Sequence, residues 1–343
     1  MTVFSASDIR YLPGLFVTWG SILLSSRQLH FEFYLLHDGI PEAELKRFES
    51  DLRTVSKAFA LHSVELSTDA FADFPAFFFD SRMTYARLMI PRLVPTTDRA
   101  LYIDTDIVVL RDLSELDTYD LKGDPIAVVK EWGHSGREDL PSFYEDFPAT
   151  KTHQYFNAGL LLLDLKQIRE SGDFDRCLLL LKDYKDKCRW WDQTALNVIF
   201  AGRCAYLDTG INYQIALERP FFLEELSLLK NRAINLHYLM GGKPWIRPSH
   251  SIPHRVFRIV EAILKHDHKA KQKALSRWPV AFSALLHRLF AWRLQLLALL
   301  AFNKRSKHRK FAQDHAHISS ELWQSVRHHR EISKALNALS LDR

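Results

Sequence analysis

The chain has 343 residues, enough for one large α/β domain or two ordinary ones, and its 47% apolar and 25% charged residues exclude wholesale disorder and collagen-like or low-complexity architectures. The formal net charge of +5 conceals a division: Lys243 to Arg343 carries 20 Lys and Arg against 6 Asp and Glu, whereas the preceding 242 residues carry 26 against 35. An acidic body with a basic tail points to an anionic surface as partner.

In chain order, Val3 to Ala6 reads as a short buried strand and Leu15 to Leu24 as an amphipathic helix. Phe31 to Leu36 is a second strand, and Pro41 to Ala58 a helix with Pro41 in its first turn. Leu61 to Leu66 makes a third strand. A helix around Tyr85 to Ile90 leads to the strand Ala100 to Ile103, which ends in a carboxylate cluster. Strands separated by helical patterns imply a parallel sheet covered on both faces, with ligands bound beyond the carboxyl ends of its strands. Asp8 and the pair Asp104 and Asp106 fall there. Ile126 to Val129, Leu160 to Leu165 and Ala233 to Leu236 are further strand candidates, and Asp192 to Phe200 is helical. After Pro253 the chain becomes helical, basic and His-rich, which places a domain boundary near residue 250.

Three cysteines without pattern offer neither a disulfide framework nor a zinc site and suit a reducing cytosol. The start lacks a basic segment followed by an apolar run, so no secretory signal is expected. No uncharged apolar stretch reaches the roughly 18 residues that a spanning helix needs. Twelve glycines form neither a P-loop nor a Rossmann Gly-rich turn.

Asp104-Thr105-Asp106 follows an apolar strand and precedes Ile107-Val108-Val109-Leu110. Two carboxylates at i and i+2, where a strand breaks, can turn toward one hard divalent cation. Mg²⁺ or Mn²⁺ prefers such oxygen ligands and commonly shares its shell with substrate phosphates. The same pattern also describes a solvated turn in which Asp caps the following segment.

Leu101 to Val109 resembles the metal-binding strand of the sugar-nucleotide-dependent glycosyltransferases of family 8, which include bacterial lipopolysaccharide galactosyl- and glucosyltransferases and glycogenin. Four further segments match that family in order: Thr84-Tyr85-Ala86-Arg87-Leu88, Tyr155-Phe156-Asn157-Ala158-Gly159-Leu160, Trp191-Asp192-Gln193, and His237-Tyr238 with Lys243-Pro244-Trp245. The resemblance covers roughly residues 3 to 247. It implies a GT-A-like, single Rossmann-type α/β domain with a mixed, mainly parallel central sheet over residues 1–250, followed by a helical, basic extension over 251–343.

The implied activity is retaining transfer of galactose or glucose from a UDP-sugar to a hydroxyl of a glycan acceptor, lipopolysaccharide or another lipid-linked glycan. The implied cofactor is Mn²⁺ or Mg²⁺, held by Asp104, Asp106 and His237. Ala6, Asp8, Ile103, Asp104 and Lys243 are the implied nucleotide contacts, with Lys243 reaching the diphosphate. Arg87, Asn157, Asp192 and Gln193 are the implied donor-sugar contacts. Read without the family, Asp8 is equally a turn or N-cap carboxylate, Arg87 an ion-paired core residue, and Asp192 a helix opener. For catalysis, Gln193 would stabilise the oxocarbenium-like centre in a same-face displacement, or Asp192 would act in a double displacement. The chain departs from the family at Arg10, where Asn is common, and at Met240, where Gly is usual. These departures keep open a catalytically impaired, membrane-associated scaffold of the same fold; a self-glucosylating, glycogenin-like enzyme is a further alternative.

From His268 to Gln313, 46 residues contain no Asp or Glu. Within them Trp278 to Phe302 is strongly apolar but interrupted by Arg288 and Arg293, an arrangement costly in a spanning helix. Lys304-Arg305-Ser306-Lys307-His308-Arg309-Lys310 follows. An aromatic, cationic helix beside a polybasic cluster suits in-plane attachment to anionic lipid. The expected location is therefore cytoplasmic and peripheral to a membrane, with no nucleic-acid partner because no binding module accompanies the charge.

Overall fold

A computed structural model of the protein describes residues 1–26, 30–74, 81–132, 138–215, 225–239, 242–246, 249–276 and 305–337, with scattered positions between 280 and 295. The chain divides into two compact units, Met1–Gln214 and Ile215–Arg343.

The first unit opens with β1 (Thr2–Ser7), α1 (Leu12–Ser25), β2 (Phe31–His37), α2 (Glu42–Val55) and β3 (Phe59–Glu65). A 3₁₀ segment (Met83–Met89) runs into the short α3 (Ile90–Leu93), then β4 (Arg99–Ile103) and β5 (Ile107–Val108). There follow β6 (Ile126–Lys130), β7 (Phe156–Asp164), α4 (Leu165–Ser171), α5 (Asp173–Asp183), α6 (Trp191–Ile199), β8 (Cys204–Tyr206) and β9 (Tyr213–Ile215), which ends at the boundary. Seven strands form one sheet in the order β3-β2-β1-β4-β7-β6-β8. β1 to β4 pair in parallel, as do β6 and β8, while β7 runs antiparallel to both β4 and β6. This is the mixed, mainly parallel sheet that was expected. Leu160 to Leu163 of β7 are all at most 1% exposed, which explains why this central strand reads as an unbroken apolar run.

The second unit contains α7 (Glu225–Lys230), β10 (Leu236–Tyr238), α8 (Ile252–Leu264), α9 (His268–Leu275), α10 (Arg305–Arg327) and α11 (His329–Asn337). Its C-terminal part is helical, as the sequence implies. Among the described residues no helix is long and apolar enough to cross a membrane. Most of Trp278 to Phe302, Arg293, and the side chains from Lys304 to Arg309 lie outside the described residues, as do Met240 and Gly241.

Three element assignments need correction. Tyr85 to Met89 is 3₁₀ and α3 starts only at Ile90: Pro91 has no N–H to offer the Arg87 carbonyl, which accepts from Ile90 N–H instead. β7 begins at Phe156, not Leu160, and stops at Asp164, whose Oδ1 caps α4 by accepting from Gln167 N–H at 2.8 Å. The last strand starts at Leu236 rather than Ala233, since the N–H groups of Arg232 and Ala233 close α7 on Leu229 and Leu228. His237 therefore sits inside β10 instead of following it.

Candidate active site

The chain runs outward from β1 through β2 to β3 and returns as β4 on the other side of β1, so a crevice opens beyond the carboxyl ends of β1 and β4. Ser5 ties the two strand ends together: its hydroxyl donates to Ile103 O at 2.6 Å and accepts from Trp19 Nε1 at 3.0 Å. Ala6 lies near the end of β1 before Asp8, and Ile103 ends β4 before Asp104. Asp104 N–H donates to Gly159 O at 2.8 Å, continuing the β4–β7 ladder by one rung. After the turn, Thr18 and Ser21 of α1 accept from the N–H groups of Ile107 (3.3 Å) and Val109 (2.9 Å). The Asp104-Thr105-Asp106 turn is thus held on both sides, which a freely solvated turn would not be.

Carboxylate oxygens of Asp104 and Asp106 lie within 4.8 Å of each other. Asp8 stands in the same field. Burial, followed by the charges of Asp106 and Asp8, pushes the Tyr11 phenol up to about 12; Asp104 adds to this and Arg10 opposes it. Two hard oxygen donors in a negative field fit Mg²⁺ or Mn²⁺ and do not fit a soft metal. Asp8 is the N-cap of the turn Ile9–Tyr11, its Oδ1 accepting from Arg10 N–H at 2.8 Å and its Oδ2 from Arg10 Nη2 at 2.8 Å. The capping reading of Asp8 is therefore realised, and Arg10 lies against that carboxylate.

Arg87 connects the carboxylate turn to α6. Its guanidinium is buried, donating through Nη2 to Asp104 Oδ1 at 2.9 Å, through Nη1 to Ala158 O, and pairing through Nε with Asp192 Oδ2 at 3.0 Å. It also lies 4.3 Å above the Tyr102 ring, whose hydroxyl donates to Asp104 Oδ1 at 2.9 Å. Burial works against the charge of Arg87, but Asp104 and Asp192 outweigh it and hold the guanidinium protonated. For Asp192, burial raises the carboxyl above its ordinary range, opposed by Arg87 and by Thr84, whose hydroxyl donates to Oδ1 at 2.5 Å. Oδ1 of Asp192 thus accepts from Thr84, whereas Oδ2 faces Arg87 as a charge without accepting a hydrogen bond, because Arg87 Nε donates to Thr84 O at 3.1 Å.

At the start of β7, Asn157 and Gln193 meet. Gln193 Oε1 accepts from Asn157 Nδ2 at 3.2 Å and from Ala158 N–H at 3.0 Å, while its Nε2 faces Glu131 Oε1 at 3.4 Å. Asn157 Oδ1 accepts from Gly159 N–H and from Asn212 Nδ2. One turn along α6, Asn197 clasps Phe156 through both its N–H and its carbonyl. Trp191, at φ 53°, brings the chain into α6 through the left-handed region and so sets where Asp192 and Gln193 begin.

The first turn of α6 is also anchored by Asp139, fully buried, which accepts from the Thr194 hydroxyl; that hydroxyl accepts in turn from Trp190 N–H at 3.0 Å. Burial pushes the Asp139 carboxyl up to about 6, against the pull of Thr194 and Arg189. An unfolded Asp titrates near ~3.9. The folded state therefore binds more protons between about pH 4 and 6, so stability falls as pH rises through that window and the penalty is constant above it. Asp139→Asn is expected to flatten that slope and to be more stable than the wild type at neutral pH, read by denaturant unfolding across pH.

In the second unit, His237 is 2% exposed within β10. Lys243 is also buried, and its Nζ donates to Tyr238 O at 2.6 Å. Trp245 stacks on Phe257 of α8 with ring centroids 5.6 Å apart. The residues not anticipated from sequence are Thr84, Tyr102, Glu131, Asn197 and Asn212. Thr84 heads the Tyr-Ala-Arg-Leu segment and Tyr102 stands inside the Leu101 to Val109 segment, two residues before the Asp104 it bonds. Glu131, Asn197 and Asn212 are polar residues distant in sequence from the groups they meet.

A family model described as glycosyl transferase family 8 matches residues 2–248. The chain is 28% identical over 243 residues to a lipopolysaccharide 1,2-glucosyltransferase of Escherichia coli (strain K12), covering 69% of this chain and 70% of that protein. It is 27% identical to the glycosyltransferase GlyF of Streptococcus pneumoniae serotype 4 over 70% of this chain but only 56% of GlyF. Among solved structures, the galactosyltransferase LgtC in complex with donor and acceptor sugar analogs matches with a TM-score of 0.64 at 24% identity, over 76% of this chain and 95% of that one. The fold is accordingly the GT-A-like α/β architecture.

Proposed function

The chain belongs to glycosyl transferase family 8, and from that premise we propose that it moves glucose or galactose from a UDP-sugar to a hydroxyl of a lipopolysaccharide or other lipid-linked glycan, with retention of anomeric configuration. The observation that carries this reading is the Asp104–Asp106 pair, held at the carboxyl end of β4 and joined through Arg87 to Asp192. Asp104, Asp106 and, by its motif, His237 would hold Mn²⁺ or Mg²⁺; the His237 and Lys243 segment falls within the family match. The chemistry supplied by the bound cation is neutralisation of the negative charge that grows on the departing diphosphate.

The chain's own residues do the rest. Arg87 fixes the Asp104 carboxylate and the start of α6 in one geometry. Ala6, Asp8 and Ile103 line the strand ends where the nucleotide would lie, and Lys243 would face its diphosphate as a point charge. Gln193, oriented by Asn157 and Ala158, would stand by the anomeric carbon. Asp192 is buried, its Oδ1 accepts from Thr84 and its charge is balanced by Arg87, which supports same-face displacement over an Asp192 nucleophile. The lipopolysaccharide reading follows the Escherichia coli relative. It is tested by incubating the protein with labelled UDP-glucose or UDP-galactose and rough lipopolysaccharide: label should enter the polysaccharide in an α-linkage by NMR, and a β-product would overturn retention.

The basic extension is proposed to rest on an anionic membrane. With each basic residue near such a surface adding ~1 kcal/mol, changing Lys304, Arg305, Lys307, Arg309 and Lys310 to Gln should weaken binding to anionic vesicles by roughly a hundredfold or more. Unaltered flotation with vesicles would remove this part of the reading.

A further inference from the structure

The helical pair α8 and α9 in the second unit carries buried positive charge that the donor site does not use. Arg255 is 0% exposed. Its Nε and Nη2 donate to the carbonyls of Ala274 and Leu275 at the end of α9 (2.8 and 3.2 Å), a favourable place for a cation. Its Nη1 has no hydrogen-bond partner. One turn along α8, Arg258 donates through Nη2 to Ser249 O at 2.5 Å, and its Nε is likewise buried and unpartnered. Among the described residues neither guanidinium pairs with a carboxylate. A buried cation without a counter-charge is costly, and buried guanidinium donors left unmade add to that cost.

Beside these groups lies a cavity of about 280 Å³ lined by His250, Arg258, Glu261, Lys265, Asp267 and Lys273, among others. Glu261 and Lys265 neutralise each other at 2.6 Å, and Asp267 turns Oδ1 to the Ala270 N–H that opens α9. Arg258 and Lys273 keep their charge for the cavity, with Arg255 behind its wall. His250 is held neutral: burial, then Arg258, Arg255 and Lys273, lower its pKa to about 4. The space is small beside pockets that enclose whole drug-sized ligands, which start near ~300 Å³, so a compact group fits best. A dianion with several acceptor oxygens matches the positive charge of Arg258 and Lys273 at the cavity, with Arg255 behind them, and guanidinium groups are suited to it.

We propose that the cleft between α8 and α9 is a phosphate-binding site, with Arg258 and Lys273 as its principal contacts and Arg255 as the buried charge behind them. The proposal is independent of the donor site, and either can fail alone. The phosphate can be free in solution or the monoester headgroup of a lipid.

The test follows the His250 imidazole by NMR in the full chain, assigned with His250→Gln, while inorganic phosphate is titrated in. A phosphate seated beside the ring should raise its pKa by about one unit or more in a saturable manner. Lys273→Gln, at an exposed position that the fold does not need, should weaken that response at least tenfold; Arg258→Gln should abolish it. In parallel, co-sedimentation compares wild type and Lys273→Gln on phosphatidic acid and phosphatidylcholine vesicles. Loss of phosphatidic acid binding in the variant assigns the phosphate to a lipid, whereas an NMR response with equal vesicle binding assigns it to a soluble ligand. No saturable response in the wild type, or an equal one in Lys273→Gln, overturns the proposal.

Discussion

Asp106→Asn is expected to lower kcat/KM for hexose transfer by about 10²- to 10³-fold, the size of effect seen when one electrostatic contact to a developing anion is removed. Stability should move the other way. Asp8, Asp104 and Asp106 together act on Tyr11, whose phenol is pushed up to about 12 first by burial and then by their charge. Removing one negative charge from that cluster relieves repulsion in the metal-free protein, so the variant should unfold no earlier than the wild type, and its Tyr11 should ionise at lower pH. The pairing of lost turnover with retained or raised stability separates a ligand of the catalytic cation from a residue the fold requires. Apparent affinity for Mn²⁺ should fall together with activity. Undiminished turnover in Asp106→Asn would remove Asp106 from the site.

Arg87→Met should do the opposite and strike the fold. The guanidinium is the shared counter-ion of Asp104 and Asp192, at 2.9 and 3.0 Å, and it is buried. Removing one partner from such a network costs about 3–5 kcal/mol. In a unit of this size each kcal/mol corresponds to roughly 2–4 °C, so Tm should drop by on the order of 10 °C. Asp192 would lose the attraction that opposes its burial, so its folded carboxyl would hold a proton to higher pH. The wild type already gains stability at this position as pH falls, because burial raises the Asp192 carboxyl, and the variant should show the same slope over a wider pH range. Arg87→Lys keeps the charge but not the fork, and should fall between the two in both stability and turnover. Thermal unfolding of all three proteins across pH checks the series.

These two variants also show how much of the site is legible in the sequence. The Asp104–Asp106 turn stood out because an apolar strand broke into two acids and then resumed as an apolar run, a pattern created by burial on both sides of a strand end. Arg87 was readable only as an alternative, a donor contact or a core ion pair. The pair is real, but its acids lie 17 and 105 residues away, and no local pattern encodes such distances. The same holds for Asn212, which reaches Asn157 across 55 residues. The 3₁₀ segment before α3 was missed because apolar spacing alone does not distinguish it from an α-helix, although Pro91 carried the signal. His237 was placed one step too late because the turn closing α7 takes up the N–H groups of Arg232 and Ala233. The charge division near residue 243 marked where the family match ends, at residue 248. It gave no hint that Arg255 would be buried, with Arg258 half-buried beside it.

If the crevice at the ends of β1 and β4 draws a hexose from a UDP-sugar with a divalent cation, donor cleavage must depend on that cation. UDP release from UDP-glucose and UDP-galactose by the full chain, stripped of metal with a chelator and then supplied with Mn²⁺, tests it most directly. UDP should appear from at least one donor once Mn²⁺ is restored, and none before. Release that persists under chelation, or none from either donor with Mn²⁺ and acceptor present, would contradict it.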